Sequence, residues 1–349
     1  MRTLASLLAA SALVASISPV FAQDNTATNN PEKVDAAAAS APEKPWTVVI
    51  DNYFTTDSTH ETVSNHEIDV TVEAKTGDWT VGAEGWAGFT GDFTDDDDSF
   101  ELENPTMLLY GESDSFGRIE LFDADDALYS ACVLPTPETT HFDAEDVMTF
   151  NTCSGYSGGQ AITYTTPTLG DGFKIKGSLM GDLTNAIDSG SVDSSASVAL
   201  VYEHNAGDDL AFSASLGLDR ALSVKDGLPA GDDLPTMLQA GAAVEFDGWR
   251  IGTSGQYEID SLAGGDSWAV GVGISKEVTE QLHLGAEVAV NHYVDGGADM
   301  KETNLGLLAE YAIVPDQVSV DASFNILHRT GGGVDETIKT FGAGVSFSF

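Results

Sequence analysis

Leu210-Ala211-Phe212-Ser213-Ala214-Ser215-Leu216-Gly217-Leu218-Asp219-Arg220 is the stretch that decides the fold class. Successive side chains of an extended chain point to opposite faces. Leu210, Phe212, Ala214, Leu216 and Leu218 therefore share one face, and Ala211, Ser213, Ser215, Gly217 and Asp219 share the other. One face is apolar and the other is small or polar, which a helical period of 3.6 would scramble. The same period of two recurs on both sides of this stretch. Val198, Leu200 and Tyr202 oppose Ser197, Ala199 and Val201; Trp249, Ile251, Thr253 and Tyr257 oppose Arg250, Gly252, Ser254 and Gln256. Val318, Val320, Ala322, Phe324 and Ile326 oppose Ser319, Asp321, Ser323 and Asn325. The chain is all-β.

Sixteen such segments can be counted, at 46–54, 63–75, 78–90, 98–111, 116–122, 159–167, 171–181, 194–204, 209–220, 235–246, 249–260, 267–276, 281–293, 302–313, 317–328 and 335–349. Most approach the ~9–11 residues of a tilted membrane strand. Their connections alternate in length. Tight ones fall at 76–78, 113–115, 169–171, 207–208, 247–248, 278–280 and 315–316. Longer ones, rich in Asp, Gly and Ser, fall at 55–62, 91–97, 123–158, 182–193, 221–234, 261–266, 294–301 and 329–334. Short turns at one end and long loops at the other, with an even strand count, predict a 16-stranded antiparallel transmembrane β-barrel with both ends on the short-turn side. Trp46, Trp79 and Trp249 open strands after short turns and Trp268 opens one after a long loop, as interfacial girdles require.

The 349 residues carry 14 Lys+Arg against 56 Asp+Glu, a net charge of −42. That surface repels phosphate backbones, so nucleic acid is excluded as a partner. Hydrophobic residues at 42% with 36 Gly exclude a disordered chain. Residues 1–22 read as an export signal: Arg2 precedes an uncharged apolar run from Leu4 to Val14, and Val20-Phe21-Ala22 offers a cleavage site. Residues 23–45 are Ala, Asn, Thr, Pro, Glu and Lys with almost no large apolar side chain, the composition of a flexible periplasmic tether. The barrel is assigned to 46–349.

The final strand, Gly342-Ala343-Gly344-Val345-Ser346-Phe347-Ser348-Phe349, alternates and ends in Phe. The segment Phe116-Gly117-Arg118-Ile119-Glu120-Leu121-Phe122-Asp123-Ala124-Asp125-Asp126-Ala127-Leu128 leads into the one very long connection. In both, the chain resembles the general Gram-negative bacterial porins, particularly the alphaproteobacterial, Rhodobacter-like type. The resemblance implies a cell outer membrane location, a water-filled channel for passive diffusion of small hydrophilic solutes and ions, a homotrimer, and a third loop folded inward as the constriction. That loop is 123–158. No cofactor is implied, and no enzyme motif supports catalysis: no HExxH, GxSxG, Walker or dinucleotide fingerprint sits in a plausible context.

The loop carries Asp123, Asp125, Asp126, Glu138, Asp143, Glu145 and Asp146, with His141 as its one potential cation. Carboxylates in a narrow aperture concentrate cations and oppose anions. Inferred lumen-facing neighbours are Asp51, Glu67, Asp69, Glu73 and Glu84, with Arg118 the nearest strong cation and Lys174, Lys176 and Arg250 on later strands. This departs from the basic wall common opposite the loop in porins and predicts cation preference. Cys132 and Cys153, the only cysteines, both lie in the loop; in an exported chain they are expected to form a disulfide that holds the constriction in shape. Asp95-Asp96-Asp97-Asp98 and the trio Asp123, Asp125 and Asp126 offer oxygen ligands for a structural Ca²⁺, without EF-hand spacing; a solvated charge run is the alternative. Three rival functions remain open at this level: a solute-specific channel on the same barrel, a secreted calcium-binding or adhesive β protein, and, last of the three, a barrel enzyme with an Asp-His or Ser-His site assembled across loops.

Overall fold

The computed structural model describes residues 46–57, 62–92, 99–102, 106–122, 124–136, 152–153, 160–181, 192–207, 210–224, 234–261, 265–295, 297–315 and 317–348. The export signal and tether assigned to 1–45 lie outside them. The strands are β1 (Trp46–Asp57), β2 (Thr62–Thr76), β3 (Trp79–Asp92), β4 (Ser99–Leu102), β5 (Thr106–Ser113) and β6 (Gly117–Phe122). They continue with β7 (Gln160–Thr165), β8 (Phe173–Gly181), β9 (Val192–Asn205), β10 (Leu210–Val224), β11 (Thr236–Phe246) and β12 (Trp249–Ser261). The last are β13 (Gly265–Thr279), β14 (Leu282–Asp295), β15 (Ala298–Val314), β16 (Val318–Gly331) and β17 (Val334–Ser348).

Every pairing is antiparallel, and each strand lies beside its neighbours in sequence. β4 and β5 share one position: Leu102 pairs with Phe89 and Thr106 with Trp86 along the same edge of β3. Seventeen segments thus fill sixteen positions. β17 returns to β1 from Val49–Ser348 to Asp57–Thr340, so the sheet closes on itself. Closure pairs with each other the two strands that an open sheet would leave as edges.

Turn chemistry sets the register at the short-turn end. Asp247 and Gly248 both have positive φ (49° and 68°) between the paired Phe246 and Trp249, the type I′ turn that matches strand twist. Two differences from the sequence expectation stand out. The segment 98–111 is two strands on one position rather than a single strand. The connections expected at 294–301 and 329–334 are tight, since Asp295 pairs with Ala298 and Gly331 with Val334. Backbone pairing does not need apolar alternation, so these ladders run on past the residues whose pattern marks them.

The two faces of the sheet differ in kind. Outward side chains are large, apolar and uncovered: Leu179 and Leu216 are each 61% exposed, and Ile251, Val272, Leu307 and Phe324 are exposed with them. Inward side chains of β8–β16 are small or polar and buried, including Ser178, Ser197, Asp219, Gln239, Ser254, Glu287, Asn304 and Asn325. An ordinary soluble domain has the reverse arrangement.

Candidate functional site

What covers the inward face is the segment 124–136, which follows β6. Among the described residues its contacts with the wall fall on inward-facing positions of eight consecutive strands from β7 to β14, half of a closed ring. It therefore lies inside the barrel. Its first anchor is a row of side chains in mutual register: Thr163 pairs with Ser178, Ser178 with Ser197, and Ser197 with Asp219. The Thr163 hydroxyl donates to the Asp125 carbonyl (2.7 Å), and the Ala127 amide donates to Ser197 Oγ (2.8 Å) and Ser178 Oγ (3.0 Å). Asp126 Oδ1 accepts the amides of Leu128 (2.7 Å) and Tyr129 (2.8 Å), at the entry to a single 3-10 turn at Tyr129–Ala131. Lys176 Nζ donates to the Ser130 carbonyl at 2.7 Å.

Beyond the turn, the wall makes room with glycine. A Cβ at Gly217 would come within 2.5 Å of Leu128 Cδ1, and one at Gly241 within 2.7 Å of the Val133 carbonyl oxygen. At Gly252 it would meet the Pro135 carbonyl oxygen at 2.5 Å, and at Gly273 Thr136 Cγ2 at 2.6 Å. Polar contacts complete the seat. Arg250 donates to the Leu134 carbonyl (3.0 Å), and the Thr136 hydroxyl to Glu287 Oε2 (2.9 Å). The return limb is held too: the Thr152 and Ser254 hydroxyls are hydrogen-bonded. The Cys132–Cys153 disulfide joins the two limbs, as the sequence led one to expect.

The inward face of β2–β6 is wetter and acidic. Glu73, Glu84, Glu112 and Glu120 lie there around Arg118, whose guanidinium is 2.8 Å from Glu120, 3.4 Å from Glu112 and 3.8 Å from Glu84. It also lies over the Tyr110 ring, 4.1 Å from the centroid. A cavity of about 940 Å³ opens at the short-turn end between this wall and residues 130–133, reaching Lys174, Lys176 and Glu203 on β8 and β9.

The acidic residues singled out from sequence part company here. Asp125 is exposed, whereas Asp126 is turned into the wall at 1% exposure. Burial pushes the Asp126 carboxyl up to about 6; the charge of nearby Asp219 adds to this, and the Tyr129 and Leu128 amides oppose it. Asp126 is thus an anchor of the segment rather than a charge presented to water. Asp123, Glu138, Asp143, Glu145 and Asp146 lie outside the described residues, as do Asp95 to Asp98. Among the described residues no three His, Cys, Asp or Glu side chains gather as a metal site. Sequence reasoning missed Asp219, Glu112, Glu120, Tyr110, Glu287 and the seating role of Gly217, Gly241, Gly252 and Gly273; inward glycines on four adjacent strands were the visible signal.

Solved structures that resemble this chain are outer-membrane barrels. OmpF of Salmonella typhi, in complex with daunomycin, matches with a TM-score of 0.60 at 11% identity, over 87% of this chain and 97% of that one. OmpT, an outer membrane protein of Vibrio cholerae folded in vitro, matches at 0.57 with 14% identity over 87% and 96%. OccAB2 of Acinetobacter baumannii matches at 0.56 with 9% identity over 87% and 97%. This chain has the outer-membrane porin fold. At such identities the fold alone is shared, and nothing here supports the narrower alphaproteobacterial kinship. No protein-family model matches the chain, and a comparison with curated proteins finds no match. Within the porin fold, the segment 124–136 leaves the barrel wall after its fifth position, where β6 ends.

Proposed function

We propose that the protein is an outer-membrane channel through which small hydrophilic solutes and ions diffuse passively, with a preference for cations. One observation carries this reading: a closed sheet bares a band of large apolar side chains outward and lines its interior with polar ones. Apolar surface on that scale is stable against acyl chains and unstable in water. Aromatic side chains flank the band as interfacial residues do. Trp79, Phe116 and Tyr164 cluster at the short-turn end, with ring centroids 5.3 and 5.5 Å apart in succession, and Trp268 stacks on His292 toward the other end.

The inward segment is the sieve. Sixteen strands enclose more space than side chains can fill, and a limb seated against β7–β14 directs passage along the opposite wall. That wall presents Glu67, Asp69, Glu73, Glu84, Glu112 and Glu120 against Arg118 and Lys75, a local excess of negative charge that favours cations. Export by residues 1–22, read from Arg2, the apolar run and Val20-Phe21-Ala22, and assembly as a homotrimer, implied by the porin resemblance, belong to the same reading. Purified protein added to planar bilayers is expected to give stepwise conductance, with a reversal potential of cation-selective sign in a KCl gradient. Solubility in buffer without detergent together with silent bilayers would sink the channel. Anion-selective reversal would remove only the preference.

A further inference from the structure

The acidic wall contains a platform that ion conduction alone does not call for. Tyr110 lies flat against β3 because residue 82 is glycine: a Cβ there would come within 2.3 Å of the ring. The phenol crosses that gap to donate to Glu73 Oε1 on β2, which fixes the ring with one face toward the lumen. Arg118 rests on that face, 4.1 Å from the centroid, inside an arc of three carboxylates. Tyr110 is only 6% exposed, with Arg118 over the lumenal face of its ring.

We infer that this platform is a recognition site for planar organic cations, chiefly those bearing a guanidinium group, and that Arg118 occupies it as a displaceable stand-in. The inference rests on the channel reading and names a class of solute for it. A guanidinium fits on two counts. It stacks on an aromatic face, and its in-plane donors match carboxylates arranged around the ring edge. Two of the ion pairs holding Arg118 involve half-exposed partners, Glu84 and Glu112, with side chains 42% and 44% accessible. Such pairs are weak and screened by salt. The third pair, to Glu120 at 2.8 Å on a side chain 18% accessible, is the firmer tie, which an entering guanidinium would take over from Arg118. The approach is open as well, since Glu112, Arg118 and Glu120 line the cavity at the short-turn end.

The test is block of potassium current by guanidinium chloride and by free arginine, compared with added NaCl at the same ionic strength. Both guanidinium compounds are expected to reduce the current where sodium does not. Tyr110→Leu is expected to weaken block by about three- to thirtyfold, the range of a cation–π contact. Tyr110→Phe keeps the ring and should retain block, and Arg118→Gln, which vacates the platform, should strengthen it. If Tyr110→Leu fails to assemble, Gly82→Ala tilts the ring from its seat and should weaken block in the same way. Block unchanged in both ring-disturbing variants, block no stronger in Arg118→Gln, or guanidinium behaving as sodium does would each overturn the inference. Absence of any potassium current would instead defeat the channel reading beneath it.

Discussion

Gly252 and Gly273 stand opposite one another across the β12–β13 ladder, and Pro135 lies over both. With Gly217 and Gly241 they form a lane without side chains across four adjacent strands, and the inward segment sits in that lane. Ordinary lumenal side chains would hold it off the wall.

Gly252→Val or Gly273→Val is therefore expected to unseat the segment while leaving the barrel intact, since overpacking of a close contact costs about 1–3 kcal/mol. Single-channel conductance should rise and larger sugars should gain passage. Gly181→Ala is the control, because a Cβ there meets nothing within 4 Å. Wild-type conductance in both lane variants would mean that seating does not govern passage.

Reduction, or the double change Cys132→Ser with Cys153→Ser, is expected to spare the barrel and loosen the loop. A bridge spanning 21 positions restricts the open chain by ~3 kcal/mol on the loop-entropy account. Current noise should increase and digestion by a nonspecific protease should begin within 132–153. Alkylation of unreduced protein should find no free thiol.

Charge removal on the wetted wall should erode cation preference. Glu84→Gln combined with Glu112→Gln is expected to lower the cation-to-anion permeability ratio, by up to about fivefold per charge if each acts at ~4 Å through water. Arg118→Gln should raise it. Reversal potentials in a KCl gradient read both directions, and two shifts of the same sign would contradict the assignment.

Acid should tighten the loop. The Asp126 carboxyl stands at about 6 when docked, against 3.8 when free, so the docked state holds its proton more firmly. Its contribution is full below about pH 4, fades as pH rises, and is gone above about pH 6. Loop-dependent current noise should fall on acidification from pH 7 to pH 4, and Asp126→Asn, which keeps an acceptor for the Leu128 and Tyr129 amides and drops the titration, should flatten that response. An identical pH profile in Asp126→Asn would exclude this carboxyl as its source.

Much of the wall was legible in the sequence because lipid-facing alternation is a strictly local signal. Leu210 to Leu218 name their own face, and Asp247-Gly248 names its own turn. The Cys132–Cys153 pairing was legible for a different reason: an exported chain with two cysteines has few options. The site was legible only in part. Glu112 and Glu120 sit in strands whose pattern is plain, yet which carboxylates meet Arg118 is decided by register between strands. Asp126 looked like one more loop acid, because nothing in its neighbourhood along the chain announces Asp219, 93 positions away. The lane glycines looked like ordinary small lumenal residues until the limb that lies over them was in place.

The β1–β17 seam joins strands from opposite ends of the described chain, with Ile50 beside Phe347. The ring is thus complete only once its final stave has arrived. A copy stalled or truncated before β17 would keep fifteen staves and two naked borders, each a row of unanswered amides and carbonyls ready to zip onto another unfinished copy. Pairing of β1 with β17 is the contact that takes both of those borders out of reach.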